Sequence, residues 1–206
     1  MFADRREAGR SLAGVLRSES HPVVLGIARG GVVVGQAVAQ CLASQLDVVV
    51  IRKVGHPLQP ELALGAVSAS GESVVTPYGA EFQHEALAAL FEAQAARARA
   101  LDAALRGGYP QVDIRGRNVV IVDDGIATSA TMECAIAHAR RAAAKRVVCA
   151  APVAPAESAA HLEALCDRIA VIVVARERDF AVGRYFRDFR EVDDRQVLEA
   201  LRVARG

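Results

Sequence analysis

Two adjacent acids, Asp123 and Asp124, follow four apolar residues, Val119, Val120, Ile121 and Val122. After them come Gly125, Ile126, Ala127, Thr128, Ser129, Ala130 and Thr131. The short β-branched run predicts a buried strand, and a helix is expected from about residue 129 to 144. Small side chains let the connecting loop wrap tightly, so its backbone N–H groups converge at a helix start and cradle an anion. Thr128, Ser129 and Thr131 add hydroxyl donors. A phosphate monoester suits that cradle. The two carboxylates, one loop away, suit a pair of neighbouring hydroxyls. A vicinal diol joined to a phosphate is a ribose 5-phosphate.

The elements that must position these residues alternate along the chain. Asp4 is placed to cap a helix over 4–18. The run 23–28 reads as a buried strand ended by Arg29-Gly30-Gly31, followed by a helix over 32–44. Residues 47–53 (DVVVIRK) read as one strand ending on Arg52-Lys53. Residues 54–80 carry three prolines and four glycines. They read as a hood or flexible loop in which 63–70 could form a hairpin. A helix is expected over 81–106, where a 3.6-residue apolar period ends at Gly107-Gly108. Strands over 119–124, 146–154 and 168–175 then alternate with helices over 129–144, 156–165 and 193–202. Alternation of this kind predicts a parallel sheet covered on both faces, with ligands at the carboxyl ends of its strands. The segments 28–31, 52–53 and 123–131 all fall at such ends.

The segment 119–131 (VVIVDDGIATSAT) resembles the 5-phosphoribosyl 1-diphosphate (PRPP) motif of type I phosphoribosyltransferases. In that motif four apolar residues and two acids lead to a loop ending in Thr-Gly-x-Thr. Here Ser129 stands for the common glycine, and Gly125 for a branched residue. Ala28-Arg29-Gly30-Gly31 is similar to the family's diphosphate loop, which often holds a non-proline cis peptide. Arg52-Lys53 resembles the position where relatives place a cation near the diphosphate. Residues 176–189 resemble the base-side segment of hypoxanthine-type members, with Asp179, Phe180 and Tyr185 as matching candidates. The resemblance is closest to predicted bacterial members of undefined substrate. It implies an α/β, parallel-sheet, Rossmann-like type I phosphoribosyltransferase fold with a small irregular hood or lid. One domain spans 1–206, and 176–206 supplies the base-side segment and C-terminal helix.

By the same resemblance, the chain transfers 5-phosphoribosyl from PRPP to a nitrogenous base or related nucleophile, releasing diphosphate. Asp123 and Asp124 are the expected catalytic residues. Arg29, Gly30, Gly31, Arg52, Lys53, residues 125–131, Asp179, Phe180 and Tyr185 are the expected substrate contacts. Magnesium is expected on the diphosphate, without a dedicated protein metal site, and a homodimer is expected. A PRPP- or nucleotide-sensing regulator on the same fold is the alternative. Binding or hydrolysis of another sugar phosphate is a third reading.

Composition narrows the field. The chain has 206 residues, 52% of them hydrophobic but only 4% aromatic, so Ala, Val, Leu and Ile must fill the core. A formal net charge of +1 does not advertise nucleic-acid binding. Cys41, Cys134, Cys149 and Cys166 form no C-x-x-C pair and read as reduced core or near-core thiols. No stretch approaches the roughly 18 apolar residues of a membrane span. The opening residues lack the apolar centre of a signal peptide, and a cytoplasmic location is expected. The histidines read as loop or helix-surface residues, and Arg97, Arg99 and Arg106 as a solvated helix face. GIARGG at 26–31 lacks the dinucleotide G-x-G-x-x-G. Paired acids also occur in receiver domains, but near the first strand and without a Thr/Ser-rich phosphate loop.

Overall fold

The computed structural model describes residues 1–177 and 179–205. Arg178, within the base-side segment, and Gly206 lie outside them. Helix α1 (Arg5–Val15) opens on Asp4, whose carboxylate accepts the Glu7 N–H at 2.8 Å. Strand β1 (Val23–Ile27) is buried throughout and runs into α2 (Gly30–Leu42). Strand β2 (Gln45–Val49) follows. A hood comes next, made of β3 (Ile51–His56), β4 (Gln59–Ser68), β5 (Ser73–Val75) and the short α3 (Pro77–Ala80). The long α4 (His84–Arg106) returns the chain to β6 (Asn118–Val122), α5 (Ala130–Arg141), β7 (Arg146–Pro155), α6 (Ala156–Glu163) and β8 (Arg168–Ala175). A 3-10 turn (Val182–Tyr185) and α7 (Asp194–Arg205) complete the order.

Five strands pair in parallel in the order β2-β1-β6-β7-β8. The inner strands β1, β6 and β7 are buried on both faces, as the centre of a parallel sheet requires, while the edge strand β8 is only partly covered. Val23, Leu25, Val119 and Ile121 pack toward Met132, Ile136 and Leu162. Val24, Val120, Val122 and Val148 pack toward Leu12, Val38 and Val197. Each of these side chains contributes on the order of 2 kcal/mol by leaving water. Strand order reverses at β1, since the chain goes from β1 to β2 on one side and later returns to β6 on the other. Clefts form outside the strand ends at such a reversal.

The expected strand over 47–53 is two strands in two sheets. β2 ends at Val49, whose carbonyl accepts the Ala28 N–H at 3.0 Å. β3 begins at Ile51 in a separate antiparallel sheet ordered β3-β4-β5. The β-branched run is continuous, but its pairing partners change at Val50, which composition does not reveal. Arg52 and Lys53 therefore lie within a hood strand and not at the end of a core strand. Residues 54–80 fold as this sheet and α3. Val54, Leu64 and Val67 pack beneath Leu87 and Ala95 of α4. The far half of α4 places Ala98 and Leu105 against the main core, so one helix fastens hood to sheet.

Four further expectations are corrected. Helix α2 begins at Gly30, two residues early, so both glycines sit in its first turn. Arg106 is not a solvated helix residue: it is bound to Asp47 and Asp102. His138 is buried, with Ser70, Glu72 and Gln111 around its ring nitrogens, while Cys41 is exposed.

Candidate active site

The ends of β1 and β6 meet closely. The Ala28–Arg29 peptide is cis. Immediately after it, a Cβ on Gly30 would lie 1.9 Å from Asp124 Oδ2, and one on Gly31 would lie 2.4 Å from the Val122 carbonyl oxygen. Only glycine lets the first turn of α2 rest on the acidic pair. The Gly30 and Gly31 N–H groups belong to that turn, where helix N–H groups lack intrahelical acceptors.

Asp123 and Asp124 are half-buried behind these glycines. The Asp123 N–H donates to the Ala150 carbonyl at 3.1 Å, and the Asp124 N–H donates to Asp123 Oδ1 at 2.8 Å. Burial pushes the Asp123 carboxyl well above the usual carboxylate range, and the charge of Asp124 pushes it further. Burial also raises Asp124, against the pull of Arg5. Arg5 Nε donates to Asp124 Oδ2 at 2.7 Å. Two carboxyl groups are thus held together where burial disfavours their charge, and a cationic or hydroxyl-bearing ligand would relieve that cost.

Next to them lies a cleft of about 410 Å³ lined by Arg5, Arg29, Gly30, Arg52, Phe189 and Glu191. Three arginines border it. Arg29 Nε donates to Asp194 Oδ1 at 2.6 Å, at the start of α7. Arg52 shares its strand face with Val54, while Lys53 is on the opposite face with Ile51. Lys53 Nζ donates to the Glu61 carbonyl at 2.8 Å and does not line the arginine cleft.

On the other side of the acids, the chain passes from Gly125 to the N-terminus of α5. Ile126 is in the core, and its N–H donates to the Val153 carbonyl at 2.9 Å. That anchor leaves Ala127 and Thr128 exposed at the loop tip. Ala130 is buried, and Thr131 is half-buried in the first helical turn. The Ser129 hydroxyl is engaged: it donates to Glu133 Oε1, which also meets His161 Nε2 at 3.0 Å. A Cβ on Gly125 would lie 2.3 Å from Val182 Cγ1, so the base-side segment sits directly over this loop. A branched residue there would displace it.

Within that segment Phe180 and Tyr185 lie together, their ring centroids 5.6 Å apart. The Tyr185 hydroxyl donates to Glu177, and the Asp179 carbonyl accepts from Arg184 Nη1 at 2.6 Å. The Asp179 side chain is exposed. These three residues do not line the arginine cleft. The first residues of the chain fasten the segment: the Phe2 N–H donates to the Tyr185 carbonyl at 2.8 Å, and the Arg187 N–H to the Phe2 carbonyl at 2.8 Å.

The sequence reading missed Arg5, Phe189 and Glu191. Each is remote in sequence from the acids it accompanies, and no local pattern marks it. Among the described residues, no three His, Cys, Asp or Glu side chains gather as a metal-holding group. No helix among them is long and apolar enough to cross a membrane.

Residues 5–183 match the phosphoribosyl transferase domain family. This chain belongs to that family. With the parallel sheet ordered β2-β1-β6-β7-β8, it has the type I phosphoribosyltransferase fold. A relative in Mycobacterium tuberculosis strain H37Rv, provisionally named a phosphoribosyl transferase, is 38% identical over 206 residues, covering 98% of this chain and 46% of the relative. The chain thus spans about half the length of the curated relatives it matches. The crystal structure of TT1426 from Thermus thermophilus is 43% identical, with a TM-score of 0.81 over 97% of each chain. The AQ2163 protein of Aquifex aeolicus shares the fold at 16% identity, with a TM-score of 0.51 over 85% of this chain and 77% of that one.

Proposed function

We propose that this phosphoribosyltransferase domain transfers the 5-phosphoribosyl group of PRPP to a nitrogen nucleophile and releases diphosphate. The observation that carries this is the contact between the two strand ends. The glycine turn of α2 rests on Asp123 and Asp124 at the sheet's reversal point, with three arginines bordering the adjoining cleft. Two helix N-termini, of α2 and α5, open at this edge of the sheet, on either side of an acidic pair. That order, anion site, carboxylates, anion site, matches diphosphate, ribose diol and 5-phosphate.

In this reading the N-terminal turn of α5, with Thr128 and Thr131, receives the 5-phosphate. Ser129 joins once its hydroxyl turns from Glu133. Asp123 and Asp124 accept hydrogen bonds from the ribose hydroxyls. Their charge also favours the oxocarbenium character that develops as the anomeric C–O bond breaks and the C–N bond forms. The leaving diphosphate, which carries magnesium into the site as part of the substrate, meets the Gly30 and Gly31 N–H groups with Arg29 and Arg52. Phe180 and Tyr185 supply the aromatic surface beside which a flat acceptor would stack. The chain's work is then positioning and electrostatics, with no covalent enzyme intermediate.

The test is incubation with magnesium and PRPP across a panel of purine, pyrimidine and other nitrogen-containing acceptors, with diphosphate release as readout. Release with at least one acceptor is the expected result. PRPP binding without release from any acceptor would favour the sensing regulator. The contact at Gly30 gives a second prediction. Gly30→Ala places a methyl group on Asp124 Oδ2, so helix or carboxylate must move, and a shift approaching 1 Å costs about tenfold or more in PRPP affinity. Gly14→Ala is the control, because a Cβ there meets nothing within 4 Å. Titration calorimetry is expected to separate the two, and equal affinities would contradict the close-approach argument.

A further inference from the structure

Arg5 is a costly residue where it stands. It occupies the first turn of α1, the helix end where the macrodipole disfavours a cation. Its side chain is only 11% exposed. Neither property is explained by α1 itself. Three contacts hold the guanidinium: Nε donates to Asp124 Oδ2 at 2.7 Å, Nη1 donates to the Arg190 carbonyl at 2.8 Å, and the planar carbon lies 3.9 Å from the Phe189 ring centroid. One side chain thereby joins the first helix, the acid after β6 and the base-side segment.

The α2 side of the ion pair is closed as well. A Cβ built on Gly30 would lie 1.9 Å from Asp124 Oδ2 and 3.0 Å from Arg5 Nε. A planar cation fixed by a carbonyl, a ring and a carboxylate oxygen sets the direction of that carboxylate, as a flexible point charge cannot. Arg5 takes one oxygen of Asp124 from the side facing α1 and α2. This orients the group without consuming all its acceptor capacity.

We propose that Arg5 is a positioning residue for phosphoribosyl transfer, acting through Asp124, whose carboxylate it aims at the ribose hydroxyls. The inference rests on the phosphoribosyl reading of the site. It would also couple the base-side end of the chain to the ribose acid, since Phe189 and Arg190 seat the cation that orients it.

The test is a double-mutant cycle on magnesium-PRPP affinity, measured by calorimetry on the wild type, Arg5→Met, Asp124→Asn and the combined variant, with thermal melting of each. Arg5→Met is expected to weaken binding about tenfold. Asp124→Asn also weakens it, and the combined variant is expected to bind no more weakly than Asp124→Asn alone. Arg5→Lys, which keeps the charge but not the planar fork, is expected to leave most of the loss in place, and it carries the test should the Met variant not fold: wild-type affinity in Arg5→Lys would overturn the proposal. A purely structural Arg5 would instead give losses that multiply in the combined variant. That result, or affinity in Arg5→Met equal to or tighter than wild type, would overturn the proposal. Failure of the wild type itself to bind PRPP would remove the phosphoribosyl reading and this role together. The wild-type measurement thus separates that failure from one confined to Arg5.

Discussion

Asp123→Asn is expected to make the protein more stable at neutral pH while removing most of its transferase activity. In the folded chain the Asp123 carboxyl is held well above its ordinary range, first by burial and then by the charge of Asp124. A carboxyl that titrates higher when folded favours the protonated form of the fold. Its penalty is absent below the unfolded pKa, grows as pH rises above it, and levels off once pH passes the folded one. At pH 7, above the ordinary carboxylate range, the penalty is present. Asparagine removes the charge yet keeps an oxygen to accept the Asp124 N–H, which now donates at 2.8 Å. A gain on the order of 1 kcal/mol, or about 2–4 °C in Tm for a chain of this size, is expected. The gain should shrink as pH falls toward the usual carboxylate range. Activity should move the other way, by about a hundredfold or more, because a neutral amide no longer favours the developing ribosyl cation. Thermal melting against pH, alongside diphosphate release, checks both halves. A variant less stable than wild type at pH 7 would contradict the electrostatic reading of the pair.

The largest loss of stability is expected from Arg106→Ala, at a site remote from the chemistry. Asp47 is fully buried in β2. It accepts from Arg106 Nη1 at 3.0 and 3.1 Å and from the Val48 and Val112 N–H groups at 2.9 and 2.8 Å. Arg106 also donates to Asp102 and to the Val48 carbonyl. Burial works against its charge, but Asp47 and Asp102 more than offset this and hold the guanidinium above its usual range. Removing Arg106 leaves a carboxylate buried beside the seam where α4 fastens to the sheet. Breaking one partner from a buried pair costs about 3–5 kcal/mol. The combined variant Asp47→Asn, Arg106→Ala should recover part of that. Denaturant unfolding measures the loss, and one under about 1 kcal/mol would show the pair behaving as a surface contact.

The parts of this fold that were legible in the sequence are those set by local pattern. The strand before Asp123, the loop and helix after it and the strand over 168–175 each rest on a short apolar run and the residues that end it. The mistakes share a cause. Residues 45–56 form two strands because Val50 is where pairing passes from a parallel partner to an antiparallel one, and β-branched composition is blind to partners. Arg106 carries the charge and helical position of a solvated residue, and only Asp47, 59 residues earlier, makes it a buried clamp. Arg5 meets Asp124 across 119 residues of chain. Gly30 and Gly31 were legible as a turn. That they also form the floor beneath Asp124 depended on how α2 packs, which no spacing records.

The measurement that bears most directly on the site is calorimetric titration with PRPP, with and without magnesium, on the wild type and on Asp123→Asn, Asp124→Asn. The predicted result is saturable, magnesium-dependent binding by the wild type and loss of that binding in a double variant that still unfolds cooperatively. Wild-type binding retained at full strength in the double variant, or no PRPP binding by the wild type, would contradict the assignment of the two carboxylates to a phosphoribosyl site.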